Sequence, residues 1–277
     1  MTDTPHVQPD NVNSSYCILV SSCDAYADCW APFFTLLATY WQPCNHQIYL
    51  NTETQSFSFP DLDIQCPRVG LATSRDLTWS ERLLQCLDSI PYEIVLYLQE
   101  DYFIKDTVDV SLIDSIARIM QRERISHVSL ERGTALTPGN RTSHRFLSLM
   151  DKRAEYRISA QAGLWKVSAL RSNLRRHETV WEFEEYGTKR ARRKREQFLF
   201  LNDEYQALHG KKPIPYDPTG VVQGQWARNI VEPLFADHNI DVDYETRGFY
   251  DPHDGVNRRR MLHTKLTNRL RSIRSIP

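Results

Sequence analysis

Residues 93–103 read EIVLYLQEDYF, and the fold turns on how that stretch is built. From Glu93 to Leu98 the run is almost wholly apolar, the pattern of a strand buried on both faces. It breaks directly into Gln99, Glu100, Asp101 and Tyr102. Burying unpaired carboxylates is costly, so Glu100 and Asp101 must meet solvent, a cation or a ligand. A divalent cation held by carboxylate oxygen can bridge to a diphosphate and neutralise a leaving group. The plainer alternative is that the two acids merely end the strand and cap the next turn.

Working outward, residues 16–22 (YCILVSS) form a second short apolar run ending in a polar turn, Ser21-Ser22-Cys23-Asp24. Residues 47–51 (QIYLN) and 127–131 (HVSLE) also read as strands, and 156–160 and 163–167 flank a further strand and turn. Between them lie helical stretches. Residues 30–41 (WAPFFTLLATYW) carry Pro32 in what reads as the first turn, where proline is tolerated. Residues 78–89 are amphipathic, with Thr78 and Glu81 spaced for a capping box. Residues 110–122 are helical, and 181–209 read as one long, heavily charged helix. Strands alternating with helices predict an α/β domain, a mainly parallel central sheet with helices on both faces. In such sheets ligands bind at the carboxyl ends of strands, where the turns Ser22–Asp24 and Gln99–Tyr102 both fall.

Composition bounds the rest. The 277 residues are 41% apolar and 25% charged, enough for one sizeable domain over residues 15–277 behind a disordered leader, 1–14. No apolar run approaches the ~20 residues needed to cross a bilayer, and the polar start lacks a charged-then-apolar secretory leader. All six cysteines lie in the first third without zinc-site spacing, which reads as reduced thiols in a cytoplasmic protein. The net charge of −1 hides two basic runs: Lys189, Arg190, Arg192, Arg193, Lys194 and Arg195, then Arg258, Arg259, Arg260, Lys265, Arg269 and Arg271. Such runs are usually solvated faces, but they also suit diphosphate or anionic lipid at the inner membrane face. RRM-type and zinc-finger spacings are both missing, which argues against nucleic acid.

Two further segments carry candidate chemistry. Gln161-Ala162-Gly163-Leu164-Trp165 puts a small residue where a ligand could approach. Trp181-Glu182-Phe183-Glu184-Glu185 opens a helix with three acids, which suits helix-start electrostatics or a general base.

Together these pieces resemble a bacterial polysaccharide or lipopolysaccharide-type glycosyltransferase with a GT-A-like (Rossmann-like) fold. The resemblance rests on Val20-Ser21-Ser22-Cys23-Asp24, Trp79-Ser80-Glu81-Arg82-Leu83, Leu98-Gln99-Glu100-Asp101-Tyr102-Phe103, Gln161-Ala162-Gly163-Leu164-Trp165 and Trp181-Glu182-Phe183-Glu184, with Gly187 and Arg190 after it. These cover roughly residues 16–190. It implies a nucleotide-binding part over 15–105, an acceptor part over 106–250 and a basic tail over 251–277. Ser22, Asp24 and Arg82 would hold the nucleotide-sugar donor. The family's DxD motif here reads Gln99-Glu100-Asp101, with Asp101 on Mn2+ or Mg2+; basic side chains such as Arg258 and Arg259 are the alternative, since some families replace the metal with them. Glu182 or Glu184 would be the base of an inverting transfer to a saccharide or lipid-linked acceptor. The rival expectation is a regulatory module holding a nucleotide or RNA in a degenerate pocket, which would need no base.

Overall fold

The computed structural model describes residues 15–131, 139–252 and 271–273. The leader 1–14 and the arginines Arg258 and Arg259 fall outside the described residues. In chain order the main elements begin with β1 (Cys17–Ser21), α1 (Ala27–Tyr40), β2 (Ile48–Leu50), β3 (Ile64–Gln65), α2 (Trp79–Asp88), β4 (Ile94–Gln99) and α3 (Val110–Arg122). There follow β5 (Ile125–Ser129), β6 (Asn140–Arg141), β7 (Leu147–Leu149), β8 (Gly163–Lys166), α4 (Val167–Asn173) and α5 (Val180–Ala191). The last are β9 (Gln197–Leu201), α6 (Asp203–His209), β10 (Val221–Val222), β11 (Gln225–Trp226) and α7 (Arg228–Asp237).

Nine strands form one sheet in the order β3-β2-β1-β4-β8-β5-β9-β7-β6, and β10 and β11 make a separate hairpin. The block from β3 to β4 is parallel, β8 runs against both β4 and β5, and β9 returns parallel to β5. By direction, among the described residues, only β7 and β8 oppose the rest of the sheet, so the expected mainly parallel α/β sheet is present.

Alternation along each central strand feeds two cores, which is why these runs are apolar without a break. Ile18, Val20, Ile94, Leu96, Leu98, Leu199 and Leu201 face one core, with α1, α3, α6 and α7 over them. Cys17, Leu19, Val95, Tyr97, Phe198 and Phe200 face the other, under α2, α4 and α5. Helices thus cover both faces. The predicted capping box of α2 is present: Thr78 Oγ1 accepts from Glu81 N at 3.1 Å, and Glu81 Oε2 accepts from Thr78 N at 3.2 Å.

Four sequence expectations are corrected. Helix α1 begins at Ala27, so Pro32 lies beyond the first turn and leaves the Asp28 carbonyl without its helical donor. Residues 181–209 are not one helix: α5 stops at Ala191 and QFLFL becomes β9, buried from Phe198 onward. Residues 156–160 contribute no strand; β8 alone forms there. Arg190 does not belong to a solvated basic face. It is fully buried and binds Glu178 through two hydrogen bonds of 2.7 and 2.6 Å. The six cysteines are free thiols, and no described helix is long and apolar enough to cross a membrane.

Candidate functional site

Strand register brings the two polar turns together. Ser21 pairs with Gln99 at the carboxyl ends of β1 and β4, so residues 22–24 and 99–102 emerge side by side. Because β8 runs the opposite way, the residues before Gly163 arrive at the same edge. Gln99 Nε2 donates to the Ala160 carbonyl at 2.8 Å and to the Tyr102 hydroxyl at 3.1 Å, tying the acid turn to that segment.

Glu100 and Asp101 are both buried. Burial, followed by the neighbouring Asp101 charge, lifts Glu100 well above the carboxylate range, against the pull of Arg247 and Arg82. Burial also pushes Asp101 up to about 6, against the Thr219 hydroxyl and backbone N–H groups. Thr219 Oγ1 donates to Asp101 Oδ2 at 2.5 Å, while Oδ1 is buried without a hydrogen-bond partner among the described residues. An orphaned carboxylate oxygen beside a second buried acid is a donor set that fits a divalent cation. No described group of three or more His, Cys, Asp or Glu could hold an ion. Such ions often take only one or two carboxylates and complete their shell with substrate phosphates and water.

Ser22 and Asp24 sit at this edge, but their side chains work within the protein. Ser22 Oγ accepts from Trp30 Nε1 at 2.7 Å, fixing the indole of α1. Asp24 Oδ1 accepts from Glu53 N at 2.8 Å, and Oδ2 from Thr54 N at 2.9 Å, Thr54 Oγ1 at 2.6 Å and Gln55 N at 3.2 Å. Partial burial opposes its charge, yet the Thr54 hydroxyl and these backbone donors outweigh it and hold the carboxyl below its usual range. One donor on Oδ1 and three on Oδ2 tie Asp24 to the loop 53–55, which it organises. Arg82 joins the same network: its Nη1 donates to Glu53 Oε1 at 3.2 Å and to the Leu77 carbonyl at 2.8 Å, and its Nε is buried with no described partner.

The two base candidates separate cleanly. Glu182 Oε2 accepts from Thr179 N at 2.9 Å and from Thr179 Oγ1 at 3.0 Å, closing the capping box of α5. Its role there is helix-start chemistry. Glu184 instead turns to the site, where Oε1 accepts from Ala160 N at 2.8 Å and Ser159 Oγ at 3.2 Å. Burial raises its pKa against those two bonds. Its charge is felt, together with that of Asp101, at the Tyr97 and Tyr102 hydroxyls.

No protein-family model matches the chain, and no curated protein matches its sequence. Similar solved structures exist. S. aureus TarS 1-349 is 10% identical, over 68% of this chain and 58% of that one, with a TM-score of 0.46. Glucosyl-3-phosphoglycerate synthase from Mycobacterium tuberculosis, solved with Mn2+ and UDP-glucose, is 8% identical over 64% of each chain, at 0.38. A mycobacterial protein is 8% identical over 87% of this chain and 78% of that one, at 0.45. The chain spans less than two thirds of the length of the two TarS structures it matches. At such identities and TM-scores the matches carry no argument, and the chemistry has to be read from the site's own residues.

Two contributors had no signal in the sequence. The irregular stretch 213–220 runs along the acid turn, with Gly220 N donating to the Asp101 carbonyl at 2.8 Å, and it delivers Thr219. Arg247 binds Asp28 through two bonds of 2.6 and 2.5 Å, donates to the Ala25 carbonyl at 2.8 Å, and lies 4.3 Å over the Tyr26 ring. It places positive charge beside Glu100 and Asp101. Gly163, expected to leave room for a ligand, leaves room for His127: a Cβ there would lie 2.7 Å from the imidazole Cε1. An open depression of about 420 Å3 is lined by Asn140, Leu149, Met150, Asp151, Lys152 and Arg153, none of them a residue of this site.

Proposed function

We propose that this chain is an inverting glycosyltransferase, moving a sugar from a nucleotide-sugar donor to a hydroxyl of a saccharide or lipid-linked saccharide acceptor. The observation that carries the reading is Glu184, a partly buried carboxylate of raised proton affinity at the same sheet edge as the Glu100–Asp101 pair. A module that only holds a nucleotide has no use for a base there.

In this reading the β1 turn at Ser22–Asp24, with the loop 53–55 that Asp24 holds, receives the nucleotide. Arg82 offers its unpartnered Nε to the diphosphate, and Arg247 adds positive potential without leaving Asp28. Glu184 takes the proton from the acceptor hydroxyl. The acceptor oxygen then bonds to the anomeric carbon from the face opposite the diphosphate, and the bond from that carbon to the phosphate oxygen breaks. The electron pair leaves with the nucleoside diphosphate. Asp101, with Glu100 beside it, would hold a Mn2+ or Mg2+ ion, which would supply charge neutralisation for a diphosphate. We place the activity in surface polysaccharide biosynthesis in the cytoplasm, with the basic segments touching anionic lipid at the inner membrane face.

The test is thermal melting with UDP, GDP and CMP, with and without Mn2+. One nucleotide at about 100 times its dissociation constant adds roughly 2.7 kcal/mol, which is several degrees in a chain of this size. No stabilisation by any of them refutes the reading. Stabilisation with no transfer or hydrolysis of the matching nucleotide sugars would make the chain a binding module.

A further inference from the structure

We infer that Trp181 is the platform of the acceptor subsite, on which a pyranose ring stacks with a hydroxyl turned towards Glu184. This rests on the transferase reading above and adds the place and chemistry of the second substrate.

Trp181 is 72% exposed, whereas Trp30, Trp41, Trp165 and Trp226 are each 2% exposed or less. An indole is large and apolar, and ordinarily it is mostly covered. Its position is what gives the exposure meaning. Helix α5 leads into β9, which is parallel to β5, so α5 starts at the edge of the sheet where β1 and β4 end. Trp181 is in its first turn. The helix also runs antiparallel to the segment that carries Ala160. Thr188 Oγ1 accepts from Ile158 N at 3.0 Å, and one turn earlier Glu184 accepts from Ser159 and Ala160. The same progression carries the next turn, with Trp181, to the level of Gln161. Residues three apart share a helix flank, so Trp181 and Glu184 line one wall. Gln161 Oε1 is buried without a described hydrogen-bond partner, an acceptor for a sugar hydroxyl.

A pyranose matches this wall. It presents C–H groups on one face, suited to an indole, and hydroxyls around its rim, suited to Gln161 and Glu184. A platform one helical turn from the base sets the reacting hydroxyl within reach of the carboxylate.

The experiment is tryptophan fluorescence of the full chain, loaded with its stabilising nucleotide. It is titrated with the methyl pyranosides of glucose, galactose, mannose and N-acetylglucosamine, with maltose and cellobiose, and with octyl glucoside below its micelle concentration. At least one methyl pyranoside or disaccharide is expected to shift the emission, and Trp181→Ala to abolish that response. Calorimetry should then show binding about 10-fold weaker in Trp181→Ala and within about 3-fold of wild type in Trp181→Phe. Nucleotide stabilisation should be the same in all three proteins. A silent wild type across the methyl pyranosides and disaccharides, a response to octyl glucoside alone, or equal affinity in Trp181→Ala would overturn the subsite. So would a melting point lowered by several degrees in Trp181→Ala, because the indole would then be packed against the chain itself. Failure of every nucleotide to stabilise the wild type would instead remove the transferase reading.

Discussion

Replacing Glu184 by Gln should separate chemistry from folding. The amide keeps an acceptor oxygen for Ala160 N and Ser159 Oγ, now at 2.8 and 3.2 Å from Oε1, so the local geometry survives. What disappears is basicity. Loss of a general base costs about 10²- to 10⁴-fold in turnover, or roughly 2.7–5.5 kcal/mol of barrier. Stability should move by less than about 1 kcal/mol, since a neutral amide is easier to bury than the carboxylate it replaces. Glu182→Gln should behave in the opposite sense. Glutamine still closes a capping box, and the lost charge in the first turn of α5 costs only about 0.3–1 kcal/mol, with turnover unchanged. The assay is release of nucleoside diphosphate from the stabilising nucleotide sugar, with kcat and KM measured separately and melting curves alongside. Wild-type turnover should rise with pH as Glu184 gives up its proton, with a midpoint above the ordinary glutamate value because burial raises it. Glu184→Gln should lose the part of that rise that Glu184 contributes, leaving only the titration of Asp101 and Glu100. Full turnover in both variants, a slow Glu182→Gln beside a fast Glu184→Gln, or a product that keeps the donor's anomeric configuration would refute the assignment.

Three other outcomes follow from the same geometry. Arg247→Met leaves Asp28, 27% exposed, facing an apolar side chain, and should cost about 2–3 kcal/mol in chemical denaturation, less than a fully buried pair would; unchanged stability would show that Arg247 anchors nothing. Gly220→Ala sets a Cβ 2.2 Å from Phe103 Cε2, in a ring only 2% exposed, so it should destabilise by about 1–3 kcal/mol by the same measurement. Asp101 binds its proton more tightly folded than unfolded, so stability should fall as pH rises from its ordinary 3.8 through about 6, with Glu100 extending the fall. Asp101→Asn should flatten that slope in pH-dependent melting, and a stability that climbs through the window would contradict the burial of the pair.

The strands β1 and β4 were legible because a continuous aliphatic run has few alternatives, and α2 because Thr78 and Glu81 announce its start. Strand β9 was hidden by its neighbours. QFLFL lies between Arg195-Glu196 and Asp203-Glu204, and the charges on either side read as one polar helix. The reversed direction of β8 has no local signature, since only its pairing with Tyr97 and Val128 sets it. At the site, the acid turn and the helix with Glu184 were visible as charges following apolar runs. Which of Glu182 and Glu184 turns towards Ala160 was not, because it depends on where Thr179 and Ala160 lie in space. Thr219 and Arg247 were out of reach for the same reason: they are ordinary residues in an irregular stretch, and only tertiary contacts with Asp101 and Asp28 give them a role.

The bond between Arg247 and Asp28 joins residues 219 positions apart. During synthesis β1, α1 and β4 leave the ribosome long before Arg247 is made. The entropy of closing so long a loop grows only logarithmically with its length, so the span weighs on folding rate more than on final stability. The contacts that hold Asp101 and Asp28 therefore form late in translation. A nascent chain that has just completed β9 already contains Glu100, Asp101 and Glu184, but neither the hydroxyl that holds Asp101 nor the cation that settles over Tyr26.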